Sequence, residues 1–297
     1  MRVLSRVAVV MLSLAQVALA QSPPKSPQAP PSVAPATPEQ PPGRVGSELE
    51  PRTWTVEGQE RTALLHIPPE ARKTQTPIVF AFHGHGGSAF QASRSFRMHT
   101  LWPEAIVVYM EGLPTPGLLT DPQGNRRGWQ NRDGLQGDRD LKFFDAVLAT
   151  LKKDYLIDER RIYAMGHSNG GGFTFLLWRT RPEVFAAFAP SGAFTAQARS
   201  LKPKPAMHIA GKNDDLVKFE YQERTIEAIR KVNGCTEKGE PWGQDCTLYP
   251  SKAGTPLVTL FYDGTHKYPT EAPPLIVKFF KEQAKPVPKE LEPRSPK

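Results

Sequence analysis

Apolar and polar positions along this chain follow two spacings, one typical of strands and the other of helices. Short apolar runs between charged or turn-forming residues predict strands, whereas apolar residues three and four positions apart predict helices. The predicted strands are residues 53–56, 61–67, 77–82, 106–110, 160–164, 185–188, 206–210 and 257–262. Four helices are predicted. One starts at residue 140, a second starts just after residue 168, and the other two span 221–231 and 274–281. This alternation favours an α/β fold, a mainly parallel sheet with helices on both faces.

Individual residues predict where the first hairpin turns and where one helix starts. The first two strands are expected to form a hairpin that turns at Gly58. Asp140 is expected to cap the helix that follows the strand 106–110. The apolar face of this helix is Leu141, Phe144, Val147, Leu148 and Leu151.

The first 20 residues have the composition of a signal peptide. Basic residues precede an apolar stretch over 7–14, and Ala18 and Ala20 form a small-residue cleavage signal. The alternative, a membrane anchor, is disfavoured because the apolar stretch is short and Gln16 interrupts its end. We therefore expect export to the periplasm or the outside, without stable insertion into a membrane.

Residues 21–47 are rich in proline and poor in large apolar side chains, which predicts an extended spacer that carries no chemistry. Residues 284–297, which are rich in proline and charge, indicate a similar tail. Residues 48–283 remain as a single domain, long enough for a large core.

The charge balance adds little to this picture. The formal net charge is +8, but the basic residues are scattered rather than gathered into a stripe. Because nucleic-acid binding needs clustered Lys and Arg or a known docking motif, we expect no nucleic-acid partner. The pattern carries no information on oligomeric state.

The two cysteines, Cys235 and Cys246, are expected to form a disulfide across a short loop, as is usual in exported chains. A zinc site is not expected from two thiols without a nearby histidine.

The segment from Gly166 to Gly170 has the Gly-x-Ser-x-Gly pattern, with Ser168 at its centre. A predicted strand precedes it and a predicted helix follows it, which is the order required of a nucleophile elbow. The alternative is an ordinary glycine-rich turn between a strand and a helix. The elbow interpretation makes Ser168 a nucleophile that needs a base.

His266 is the expected base. In chains with this elbow the base lies C-terminal to the serine, which leaves His208 and His266. His208 lies inside an apolar strand and is expected to be a packed core residue. His266 follows the strand 257–262, at the carboxyl edge of the sheet, with a solvated loop histidine as the alternative.

Asp214 is the expected orienting carboxylate, because it follows the strand 206–210 and a carboxylate there holds the histidine tautomer. Asp215 is the reserve, with a helix cap as its alternative role. Asp263 is too close to His266 in sequence to be favoured.

Backbone amides are expected to bind the oxyanion of the reaction intermediate. One amide is that of Asn169, which follows the nucleophile. The other is that of His85 in the glycine-rich segment after the strand 77–82, with Gly86 second. His83 and His85 form a tempting pair of metal ligands, but further ligands are not evident, so no metal or other cofactor is expected.

Together these motifs make the chain resemble secreted α/β-hydrolases of the polyhydroxybutyrate depolymerase-like and feruloyl esterase-like group, related to carbohydrate esterase family 1. The resemblance covers most of residues 48–283. Its motifs are His83-Gly84-x-Gly86-Gly87, Gly128-Trp129, the run from Asp140 through Tyr155 and Arg161 to Gly170, Phe185 to Gly192, Gly211-x-x-Asp214-x-x-Val217, Asn233-Gly234-Cys235 and Gly264-x-His266.

The resemblance implies hydrolysis of small or polymeric esters through an acyl-enzyme, by Ser168, Asp214 and His266 and without a cofactor. It marks Trp129 as a residue that lines the substrate site or, alternatively, is structural. The chain departs from the family at one position, because members often have a tryptophan two residues after the base and this chain has Tyr268 there. Tyr268 is expected to line the substrate site in its place, and the departure leaves catalysis unaffected.

Two other functions stay open from the sequence. One is a serine peptidase on the same fold, and the other is a non-catalytic module that binds a wall or polymer. The long polar loop 112–138 is expected either to cover a substrate or to be a surface excursion.

Overall fold

The structure is a computed structural model that describes residues 49–286. The predicted signal peptide, the predicted spacer and residues 287–297 lie outside the described residues. The strands are β1 (Glu50–Val56), β2 (Gln59–His66), β3 (Thr76–Phe82), β4 (Ile106–Met110), β5 (Leu113–Pro114), β6 (Arg127–Gly128), β7 (Ile157–His167), β8 (Ala187–Ser191), β9 (Ala206–Gly211), β10 (Glu240–Gly243), β11 (Cys246–Tyr249) and β12 (Leu257–Tyr262). The helices are α1 (Ala89–Phe96), α2 (Met98–Leu101), α3 (Arg139–Asp154), α4 (Asn169–Thr180), α5 (Phe219–Val232) and α6 (Ala272–Lys281).

Ten of these strands form one sheet in the order β1, β2, β4, β3, β7, β8, β9, β12, β11, β10. The six central strands from β4 to β12 are parallel. Antiparallel hairpins, β1 with β2 and β10 with β11, extend the sheet at its two edges. The predicted class, a mainly parallel sheet, is confirmed.

Apolar side chains bury both faces of this sheet. Helices α3, α4 and α5 pack on one face, where Phe144, Phe173 and Ile229 belong to one core cluster. Helices α1, α2 and α6 pack on the other face, where Phe96 and Phe280 belong to a second cluster. Burial on both faces explains why the central strands are nearly continuous apolar runs.

The predicted elements agree with the observed ones where the sequence pattern has clear ends. Strands β4 and β12 match their predicted bounds, and the β1–β2 hairpin forms as expected, with Gly58 at φ +79° in its turn. The strand predicted over 185–188 instead begins at Ala187, because the apolar run is continuous there and does not mark where pairing starts. Helices α1 and α2 and the β10–β11 hairpin were not predicted.

Asp140 does not cap α3, and this expectation was wrong. The helix begins at Arg139 with Asp138 in the N-cap position. The carboxylate of Asp140 is fully buried and pairs with the guanidinium of Arg61 at 2.8 Å. It also accepts a hydrogen bond from the amide of Gln130 at 2.8 Å. Asp140 therefore joins α3 to β2 and to the loop that precedes the helix.

The expected disulfide is absent from the structure, in which Cys235 and Cys246 are both free thiols. Cys235 packs against the core cluster on one face of the sheet. Cys246 lies in β11 and belongs to the cluster on the other face. The proximity of the two residues in sequence suggested a bond, but the sheet separates their side chains.

Lys285, just past the predicted domain end at residue 283, bonds to the body of the fold. Lys285 donates from its backbone amide to the carbonyl of Arg160 at 2.9 Å, and its ammonium group donates to the carbonyl of Val184 at 3.0 Å. Within residues 49–286, no helix is both long and apolar enough to span a membrane.

Candidate active site

Ser168 lies in a strained turn between β7 and α4. Its backbone has φ +56° and ψ −122°, a conformation that residues other than glycine rarely adopt. A Cβ atom at Gly170 would lie 2.2 Å from the carbonyl oxygen of Phe82, and one at Gly166 would lie 2.4 Å from the carbonyl oxygen of Gly170. Both flanking glycines are therefore sterically required, as expected of a nucleophile elbow.

The structure brings Ser168, His266 and Asp214 together from three separate segments. Nε2 of His266 lies 2.7 Å from Oγ of Ser168, and Nδ1 of the same ring lies 2.8 Å from Oδ2 of Asp214. A carboxylate only accepts hydrogen bonds, so Nδ1 carries the proton and Nε2 accepts from the serine hydroxyl. This tautomer is the one that a general base at His266 needs.

Asp214 is buried and held from several sides. Its Oδ1 accepts from the amides of Leu216 at 3.0 Å and Val217 at 2.8 Å. Its Oδ2 accepts from Nε2 of Gln222 at 3.2 Å, in addition to His266. Asp215, the reserve candidate, is exposed and makes no hydrogen bond with His266 among the described residues. The carboxylate next to the histidine is therefore that of Asp214.

Sequence reasoning missed Gln222, which lies in α5 and connects two buried groups. Besides Asp214, its amide donates to the carbonyl of Val217 at 2.7 Å, and its Oε1 lies 3.4 Å from Nε2 of His208. His208 is fully buried, and burial lowers its pKa to about 4, so its ring is neutral, as expected of a packed strand histidine. A glutamine inside an amphipathic helix carries no signal of such a role.

The two residues that carry the expected oxyanion donors, His85 and Asn169, line the same cavity as Ser168. The loop residue Gly84 approaches so closely that a Cβ there would lie 3.5 Å from Cβ of Ser168. The amides of His85 and Asn169 have no acceptor among residues 49–286. Gly86, the second choice, is less suitable because its amide already donates to the carbonyl of Arg127 at 2.7 Å.

The histidine side chains of this loop face different partners. The amide of Gly112 donates to Nε2 of His83 at 2.9 Å, so Nδ1 carries the proton and donates to the carbonyl of Gly84 at 2.7 Å. Burial lowers the pKa of His83 to about 4. Nε2 of His85 lies 3.1 Å from Oδ2 of Asp121. Both ring nitrogens of His83 are thus engaged, which leaves it no lone pair for a metal.

A cavity of about 750 Å³ opens next to Ser168 and His266. This volume lies in the range of pockets that hold drug-sized ligands. The loop 112–138 forms one wall through Leu118, Leu119 and Leu135, and Phe194 and Leu216 contribute to the cavity lining. The loop therefore borders the site rather than lying elsewhere on the surface, and Arg132 is part of this wall.

Trp129 and Tyr268, the two expected lining residues, do not line this cavity. Trp129 is fully buried, and its indole lies against Phe173 with ring centroids 5.2 Å apart. Tyr268 packs edge-on against the rings of Phe96, at 4.8 Å, and His167, at 5.4 Å. Trp129 therefore has the alternative, structural position, and the expectation that Tyr268 lines the substrate site was wrong, because both rings pack inside the protein.

Comparisons with known proteins fit this architecture. Residues 119–201 match the prolyl oligopeptidase family. A bifunctional acetylxylan esterase/xylanase of Neocallimastix patriciarum is 29% identical over 202 residues, which cover 66% of this chain and 27% of that protein. A probable feruloyl esterase C of Aspergillus flavus is 25% identical over 219 residues, which cover 70% of this chain and 76% of that protein. The chain thus spans about a quarter of the first relative.

Solved structures show the same fold. A ferulic acid esterase aligns with a TM-score of 0.56 at 15% identity, covering 80% of this chain and 99% of that one. An acetyl xylan esterase from Aspergillus awamori aligns with a TM-score of 0.56 at 16% identity, and the alignment covers 78% of this chain and 99% of that one. The fold is that of an α/β-hydrolase, and the resemblance to feruloyl esterase-like proteins is confirmed. The sequence similarities support a carboxylic ester hydrolase.

Proposed function

We propose that this chain is an exported serine esterase that hydrolyses carboxylic esters through an acyl-enzyme. The observation that carries the proposal is the contact series from Ser168 to His266, at 2.7 Å, and from His266 to Asp214, at 2.8 Å. A serine hydroxyl is a poor nucleophile unless a base takes its proton during attack. Nε2 of His266 lies within hydrogen-bond reach of that proton.

In the proposed reaction, Oγ of Ser168 attacks the acyl carbon while Nε2 of His266 takes the hydroxyl proton. Asp214 holds Nδ1 and stabilises the imidazolium that forms. The amides of His85 and Asn169 bind the oxyanion of the tetrahedral intermediate. His266 then gives its proton to the leaving alcohol, which departs and leaves an acyl-serine. A water molecule then attacks the acyl carbon while His266 takes its proton, and His266 returns that proton to Oγ as the bond to the acyl group breaks, which releases the acid and restores the serine.

The proposed substrates are esters with a large acyl or alcohol part. The relatives' names point to feruloyl and acetylxylan esters, and the family resemblance adds hydroxyalkanoate oligomers. A cavity of about 750 Å³ with leucine and phenylalanine side chains in its lining suits a bulky group better than acetate alone. A panel of feruloyl, acetyl-sugar and hydroxybutyrate esters ranks these classes by kcat/KM.

The test of the mechanism is hydrolysis of short p-nitrophenyl esters together with labelling by a fluorophosphonate and mass mapping of the label. We expect Ser168→Ala and His266→Ala to lose turnover and the label to map to Ser168. Ser200→Ala is the matched control, because Ser200 is exposed and its hydroxyl only bonds the carbonyl of Gln197. We expect this variant to retain both ester turnover and labelling at Ser168. A folded protein that neither hydrolyses esters nor takes the label would refute the proposal.

A serine peptidase is the second candidate, favoured by the match of residues 119–201 to the prolyl oligopeptidase family. Peptide p-nitroanilides with proline before the scissile bond test it on the same preparation. Turnover of these amides at rates near those of the esters would favour the peptidase. Export through residues 1–20 is tested separately, by N-terminal sequencing of the exported protein, which we expect to begin at Gln21.

A further inference from the structure

Trp129 bonds to both of the segments that carry the proposed oxyanion donors. Its indole Nε1 donates to the backbone carbonyl of His83 at 2.9 Å, two residues before the His85 amide. Its own backbone amide donates to Oδ1 of Asn169 at 2.7 Å, and its carbonyl accepts from Nδ2 of Asn169 at 3.0 Å. The Asn169 side chain thus pairs with Trp129 as a second peptide group would.

Packing strengthens this connection on both sides. The Trp129 ring lies edge-on against Phe82, at the end of β3, with centroids 5.3 Å apart, and is stacked on Phe173 in α4 at 5.2 Å. Phe82 directly precedes the loop of His83 to His85, and Phe173 lies one helical turn after Asn169. Phe82 and Phe173 also contact each other, at 4.9 Å, so the fully buried indole packs in one aromatic cluster with a residue from each segment.

The residue next to Trp129 must also be small. A Cβ at Gly128 would lie 2.6 Å from Nδ1 of His85 and 2.9 Å from Oδ1 of Asn169. Two residues before Trp129, the carbonyl of Arg127 accepts from the Gly86 amide at 2.7 Å. The segment 127–129 therefore lies between the loop of His85 and the start of α4, in contact with both.

We propose that Trp129 is a positioning residue that fixes the distance between the His85 and Asn169 amides, so that both point at one oxyanion. The inference rests on the proposed esterase function. Oxyanion binding depends on donors placed 2.7–3.1 Å from the oxygen as it forms, so a small shift of either segment weakens the transition state more than substrate binding. Trp129 acts through these two segments and does not touch the substrate.

The test compares Trp129→Phe with Trp178→Phe. Trp178 is also fully buried, and its indole donates to a backbone carbonyl, that of Lys202, at 2.8 Å. It lies near the far end of α4, so its substitution removes the same kind of hydrogen bond away from the site. Removing an oxyanion donor altogether lowers kcat by a factor of about 10² to 10³. Because Trp129→Phe only displaces the donors, we expect kcat for p-nitrophenyl esters to fall less, about 10-fold, and KM to stay within twofold of the wild-type value. In Trp178→Phe we expect both constants within twofold.

A transition-state readout separates positioning from simple loss of stability. A trifluoromethyl ketone forms a hemiketal oxyanion on the serine, so its inhibition constant should rise by the same factor as kcat/KM falls in Trp129→Phe. Asn169→Ala provides a second variant in case Trp129→Phe folds poorly. Because both changes release the same constraint, the double variant should lose less than the product of the two single losses.

Three results would decide the matter. Equal, small losses in both tryptophan variants, with a wild-type enzyme that turns over esters, would overturn the role of Trp129 and leave the esterase proposal standing. If activity in Trp129→Phe falls only in proportion to the folded fraction and the inhibition constant of the trifluoromethyl ketone is unchanged, the role of Trp129 is likewise overturned and the esterase proposal stands. A wild-type protein without ester turnover would overturn both.

Discussion

The imidazole of His167 donates a hydrogen bond from Nε2 to the backbone carbonyl of His266 at 2.8 Å. A carbonyl only accepts, so the proton is on Nε2, and Nδ1 accepts from the hydroxyl of Ser191 at 3.2 Å. Burial lowers the pKa of His167 to about 4, which keeps the ring neutral. The residue before the nucleophile thus holds the loop that carries the proposed base.

Replacing His167 is expected to loosen that loop. His167→Phe keeps an aromatic ring but loses the bond to His266, and we expect kcat for p-nitrophenyl esters to fall about 10-fold, since a misplaced catalytic group lowers the rate steeply. His167→Gln retains a donor and should lose less. Equal losses in the two variants, measured at matched folded fraction, would show that the hydrogen bond does not matter.

Gly128→Ala is expected to reduce activity by a factor on the order of 10² and to lower stability as well. The added methyl group would lie 2.6 Å from the His85 ring and 2.9 Å from the Asn169 side chain, so both proposed oxyanion segments must move. Gly172→Ala serves as a stability control, because its Cβ meets nothing within 4 Å and lies in α4. Gly172→Ala should raise the free energy of unfolding by up to about 1 kcal/mol, because alanine favours the helix more than glycine does. Full activity in Gly128→Ala would contradict the close approach.

Acid is expected to destabilise the protein as the pH falls from about 6.5 to about 4. Burial lowers the pKa of His83, His167 and His208 from 6.5 to about 4 in the folded state. Between these values the unfolded chain binds the protons and the folded chain does not, so stability rises with pH across this window and levels off above it. The hydrogen bond from Arg52 lowers the pKa of Asp154 from 3.8, so the stability that Asp154 contributes is present above about pH 3.8 and is lost as the pH falls further.

Urea unfolding at pH 7.5, 6.0, 5.0 and 4.5 measures this effect. His208→Gln should reduce the slope of stability against pH, because it removes one of the histidines whose pKa burial lowers. A midpoint that stays constant from pH 7.5 to pH 4.5 would contradict the prediction.

The buried pair of Arg61 and Asp140 is expected to show strong coupling. Their side chains are 1% and 0% exposed and lie 2.8 Å apart. Asp140→Leu leaves an unpaired guanidinium in the core and should cost about 3 to 5 kcal/mol. Adding Arg61→Met should recover part of that loss, because the double variant buries no charge. Denaturant unfolding of the wild type, the two single variants and the double variant measures the coupling energy. If the double variant loses as much unfolding free energy as the two single variants together, the two side chains are not coupled.

Thiol titration tests the separation of the cysteines. Burial raises the pKa of Cys246 to about 11 and also raises that of Cys235, so both thiols should react slowly with a disulfide reagent at pH 8 in the folded protein. After unfolding without reductant, two thiols per chain should react at once. No reactive thiol after unfolding would show that the two cysteines are bonded.

Much of the arrangement around Ser168 could be predicted from the sequence because its signals are local. The Gly-x-Ser-x-Gly spacing marks the elbow in the sequence, although the glycine at 170 is required because the carbonyl of Phe82 lies close to it. Continuous apolar runs at β4 and β12 require burial on both faces of a sheet. The candidates His266 and Asp214 follow from chain order in this fold. The local pattern did not mark where β8 begins, since no polar residue interrupts its apolar run.

The sequence by itself determined the α/β class, the elbow and the residues placed next to Ser168, since each depends on spacing along the chain. Only the tertiary structure decided what the long-range partners are. Trp129 packs against residues of β3 and α4, which was the alternative to lining the cavity, and Asp140 contacts Arg61 instead of capping its helix. The two cysteines lie on opposite faces of the sheet. Such contacts depend on how distant elements pack in three dimensions, and the identity of a residue and its neighbours in sequence do not specify that.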